Sequence, residues 1–66
     1  MKNSKFEIPQ AILTTTIESM KELALRLEIE ASVYQQMNTH DGRMMADDRL
    51  TQAAEVKEAY EYLLGL

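Results

Sequence analysis

Between positions 13 and 34 the residues Leu13, Ile17, Met20, Ala24, Leu27, Ala31 and Tyr34 recur at alternating intervals of four and three. Such spacing averages 3.5 residues, the period at which one face of a helix meets a second helix along a continuous seam. A strand alternates with period two and would scatter this set over both faces of a sheet. The chain is therefore read as all-α, built by packing helix on helix. What remains is to find the second helix and the extent of the first.

Pro9 suits the first helical position, where its missing N–H costs nothing, so helix 1 is expected over 9–38, preceded by an arm at 1–8. In that arm Phe6 or Ile8 is placed to staple the first turn. The segment Asn38-Thr39-His40-Asp41-Gly42 holds the only glycine before position 65, and its residue types favour caps and turns. It predicts a turn over 39–46. Helix 2 is then expected to begin between Arg43 and Asp47 and to run over 47–64, with Ala46, Leu50, Ala53, Val56 or Lys57, Tyr60, and Leu63 or Leu64 facing inward. The result is a two-helix antiparallel hairpin with a long first helix. At 1.5 Å per residue helix 1 would span about 45 Å and helix 2 about 27 Å, leaving the first turns of helix 1 uncovered. The alanines at 24, 31, 46, 53 and 54 allow the axes to approach closely.

Sixty-six residues form one domain whose core is marginal. Small domains are commonly supported by disulfides, metals or partner subunits, and the absence of cysteine removes the first and the usual zinc ligands. Self-association into a dimeric four-helix bundle or higher oligomer is therefore expected, with the 13–34 stripe as its self-interface. Leu25, Ile29 and Val33 lie at i, i+4, i+8 on a different side of helix 1, so that one partner helix cannot cover the whole apolar circumference.

Seven basic residues against eleven acidic ones leave a formal charge of −4. This opposes a grip on phosphate backbones, which depends on Lys and Arg. Neither a signal peptide nor a run of roughly 18 apolar residues is present, and the reading is a cytoplasmic protein that does not engage the membrane. Catalytic apparatus is also missing: there is one histidine, no cysteine and no glycine-rich phosphate loop. His40-Asp41 lacks the further histidines a metal-dependent hydrolase would need. The glutamates at 18, 22, 28 and 30 lack the Glu-x-x-His motifs of di-metal bundles. Glu22–Arg26, Arg26–Glu30 and Lys57–Glu61 instead have the i, i+4 spacing of surface ion pairs. No enzyme, cofactor or metal site is expected.

Two kinds of binding surface remain. The first would take another protein on Leu25, Ile29 and Val33, with Met44 and Tyr62 as further contacts: methionine adapts to varied partners, and an exposed aromatic can anchor an interface. The class this suggests is a small regulator, inhibitor or assembly factor, of a kind that would suit a bacterial or phage accessory protein. The second would hold a small anion or nucleotide at His40, Arg43 and Arg49 around the turn, where helix N–H groups favour negative charge. His40 is placed there beside the C-terminus of helix 1. A third reading, an RNA-binding hairpin dimer, rests on topology alone and is opposed by the acidity.

Overall fold

In the computed structural model, which describes residues 9–65, two helices pack along their length: α1 over Gln10–Gln36 and α2 over His40–Leu64. The arm at 1–8, with the expected Phe6 or Ile8 staple, lies outside the described residues. Pro9 caps α1 in an extended conformation (φ −53°, ψ 138°), and its carbonyl accepts from the Leu13 N–H at 2.9 Å. Pro9 thus stands one residue before the first helical position rather than at it, and α1 ends at Gln36 rather than at 38.

The connection between the helices is shorter than the sequence suggests. Asn38 adopts φ 54°, a left-handed conformation that asparagine tolerates better than most side chains, and the chain reverses there. Thr39 follows in an extended conformation as the N-cap of α2, its hydroxyl accepting from the Gly42 N–H at 2.9 Å. Asp41 supplies a negative charge in the first turn, where the helix dipole favours it. Helix 2 therefore starts at His40 rather than within 43–47, and the expected turn over 39–46 is mostly helix. His40 accordingly opens α2 and does not extend the end of α1. Replacing Thr39 with Ala should cost about 1 kcal/mol, the usual value of a Ser or Thr cap. Thermal unfolding should show this as a midpoint lowered by about 4–8 °C for a domain of this size; an unchanged midpoint would mean the cap bond contributes nothing.

Gly42 is buried inside the first turns of α2. A Cβ there would lie 2.7 Å from the Tyr34 carbonyl oxygen, 2.9 Å from Thr39 Oγ1 and 3.2 Å from the Met37 Cβ. Its role is to let the start of α2 press against the end of α1. With 27 and 25 residues the helices match in length, and the overhang predicted for helix 1 does not occur.

The seam between them is built mostly of small residues. Ala24, Ala31, Ala46 and Ala53 are almost wholly buried, and Ile17 and Leu27 are the large apolar side chains buried with them. Leu13, Met20 and Tyr34 are half-buried along the same stripe, as are Val56, Tyr60 and Leu63 on α2, whereas Ala54 is exposed. The stripe expected to bind a second copy is thus occupied by the chain's own second helix. Of its seven members Ile17, Ala24, Leu27 and Ala31 are buried and Leu13, Met20 and Tyr34 half-buried.

Candidate interaction surface

The described residues leave eleven large apolar side chains exposed, while four of the six buried hydrophobic residues are alanines. Small side chains fill the seam and branched ones face outward, the reverse of the distribution that burial energetics favours in a self-sufficient domain. Leu25, Ile29 and Val33 are 57%, 56% and 55% exposed. One helical turn apart, they form an i±4 ridge, the row that interdigitates with a like row on another helix. Helical rotation sets this ridge on the side of α1 away from the Ala24, Leu27 and Ala31 seam. Glu18, Glu22 and Arg26 are exposed on the same helix.

Met44 and Tyr62, exposed at 58% and 71%, do not join that ridge. Their separation of eighteen residues is five whole turns, so they share the outer side of α2 but stand about 27 Å apart. Exposed Thr51, Glu55 and Glu58 lie between their positions in the chain. The five residues proposed for partner contact therefore divide between the two outer sides of the hairpin.

The basic set also fails to converge. Arg49 turns toward α1, where its Nε donates to Glu30 Oε1 at 3.0 Å, its Nη1 donates to Asp48 Oδ2 at 2.7 Å, and its guanidinium carbon lies 5.5 Å from the centre of the Tyr34 ring. The hydrogen bond to Glu30 is the main reason its pKa is raised. His40 and Arg43 are exposed at the start of α2, one and a half or more turns away along the helix. An anion there would meet His40 and Arg43 without Arg49. Lys57 likewise crosses to α1 and donates to Glu28, the bond that chiefly raises its pKa. The i, i+4 pairs expected of Arg26 with Glu30 and of Lys57 with Glu61 are replaced by these inter-helix pairs, which form one on each side of the seam. Lys21 completes the cross-links 6.0 Å from the centre of the Tyr60 ring.

At the open end of the hairpin Leu13, Ile17, Leu63 and Leu64 line a cleft of about 240 Å³, with Gln10, Glu18 and Lys21 around it. This is below the roughly 300 Å³ at which pockets for drug-sized ligands begin. Among the described residues no three His, Asp or Glu side chains converge as metal ligands. Nor is any described helix long and apolar enough to cross a membrane. No family model matches this chain, and neither a curated protein nor a solved structure matches it.

Proposed function

We propose that this chain is a non-enzymatic protein-interaction module, working in assembled form, whose α1 ridge Leu25-Ile29-Val33 seats on an aliphatic helix or groove of another protein. The carrying observation is that these three side chains are more than half exposed while the adjacent seam is closed by alanines. Exposing branched aliphatics on a regular ridge is unfavourable in water unless something covers them. Glu18 and Glu22 on the same helix give the ridge an acidic end, so a partner with Lys or Arg beside its apolar stripe fits best. Such a module acts by occluding or bridging, the roles of a regulator, inhibitor or assembly factor.

A photo-crosslinking side chain introduced at Ile29 tests this in the cell. A discrete adduct with a second protein is expected from position 29 and none from Thr51, on the outer side of α2. Loss of that adduct in Leu25→Glu/Val33→Glu, with helicity retained, would locate the contact on the ridge. Equal adducts from positions 29 and 51, or none from either, would count against the reading.

A further inference from the structure

A second apolar surface runs along one shoulder of the hairpin and spans both helices. The Glu30–Arg49 bond identifies that shoulder. Leu23 and Met37 lie seven residues to either side of Glu30, and Ile12 lies five whole turns before it. Val56 and Leu63 lie seven and fourteen residues after Arg49, and Met45 lies one turn before it. Heptad and whole-turn intervals return a side chain to nearly the same side of a helix, so these six belong to the Glu30–Arg49 shoulder. Ile12 and Met37 are 57% and 56% exposed, Leu23 and Met45 are 41% and 36% exposed, and Val56 and Leu63 are half-buried.

We propose that this shoulder is a self-association face, and that two hairpins pair through it as a four-helix bundle. Its dimensions suit a dimer: a face about 40 Å long and two helices, or about 20 Å, wide offers about 800 Å² per copy, the usual contribution to a stable interface. The three-residue ridge on α1 is only one helix wide and falls short of that.

Charge selects the same face. Each copy carries −4, and the outer side of α2 exposes Asp47, Glu55 and Glu58, so pairing there sets like charges together. On the shoulder Glu30 and Arg49 neutralise one another, and Asp48 at its margin bonds to the same guanidinium. The opposite shoulder carries the Glu28–Lys57 pair together with two further cations, Lys21 and Arg43, so pairing there again sets like charges together. Because the α1 ridge points away from the seam, a shoulder dimer presents two ridges, and a partner with two sites is bound with avidity. That bivalency rests on the proposed role of the ridge; the pairing does not.

The test is light scattering on the purified full chain over a concentration series, with two variants. The wild type is expected at twice its 7.6 kDa mass. Leu23→Glu/Met45→Glu should raise the dissociation constant at least about 100-fold by placing carboxylates in the buried face, and Ile29→Glu should leave it unchanged. Because the chain contains no cysteine, a disulfide in Leu23→Cys, or between Leu23→Cys and Val56→Cys chains when mixed, reports contact at the shoulder without relying on a disruptive variant. Either disulfide together with a dimeric wild type supports the pairing. A monomeric wild type, a dimer dissociated by Ile29→Glu, or a dimer yielding neither disulfide overturns it. A monomer that still gives the position 29 adduct would leave the ridge reading intact.

Discussion

Leu27→Ala is expected to unfold the hairpin. Leu27 and Ile17 are the large side chains fully buried in the seam, where the other fully buried side chains among the described residues are alanines, and emptying a buried leucine site costs about 2–5 kcal/mol. The upper part of that range applies where neighbours cannot move in. Here Ala24, Ala31, Ala46 and Ala53 already sit at close contact, and backbones held by alanines on both sides have little slack for collapse. A single core in a chain of this size rarely supplies more than about 3–5 kcal/mol in total, so the loss is comparable with the whole stability. Circular dichroism of Leu27→Ala should show most of the helical signal gone at ambient temperature. Leu25→Ala, two residues away and 57% exposed, should stay within about 0.5 kcal/mol of wild type. A folded, cooperatively melting Leu27→Ala protein would mean that the seam is not the main source of stability.

The second large effect is expected at Gly42, where two opposing terms can be compared. Placing Ala in a helix in place of Gly gains about 1 kcal/mol of propensity. Against this, the added carbon would sit 2.7 Å from a backbone oxygen of α1 and 2.9 Å from the capping hydroxyl of Thr39. Relieving overpacking of this kind costs about 1–3 kcal/mol, and displacing Thr39 forfeits about 1 kcal/mol of capping. The balance is a net loss of about 1–3 kcal/mol for Gly42→Ala, combining those ranges, and a larger one for Gly42→Val. Chemical denaturation should show a lower midpoint for Ala and a still lower one for Val. A stabilised Gly42→Ala protein would indicate that the helices do not approach closely at the turn.

The all-helical class and the hairpin were legible because the 13–34 stripe has a period no strand can use. The turn was legible in place but not in detail. A glycine in a polar cluster points to a break, since glycine usually ends helices, yet the missing side chain of Gly42 serves contact between helices, which depends on tertiary packing. The actual signals, Asn38 in the left-handed region and Thr39 as cap, lie four and three residues earlier within the same polar cluster.

The interaction surfaces were only partly legible. The separate side occupied by Leu25, Ile29 and Val33 follows from spacing within one helix, so it could be read directly. How much of the heptad stripe the same chain can cover depends on where α2 begins, and a start at 47 instead of His40 leaves helix 1 too long for its partner. Proximity along the chain groups Arg49 with His40 and Arg43. Its attachment to Glu30, nineteen residues away, depends on the register of the two helices, and so does the shoulder that this pair marks.

Leu27 closes the seam with α2 and holds the fold together, whereas Ile29 is exposed on the opposite side of α1 and the fold does not depend on it. Equilibrium urea unfolding of Ile29→Glu beside Leu27→Glu tests it most directly, because two neighbouring positions receive the same charge on opposite sides of one helix. Ile29→Glu should keep the wild-type midpoint to within about 0.5 kcal/mol, and Leu27→Glu should have no folded baseline. An Ile29→Glu protein as unstable as Leu27→Glu would contradict it, placing the ridge inside the structure that holds the chain together.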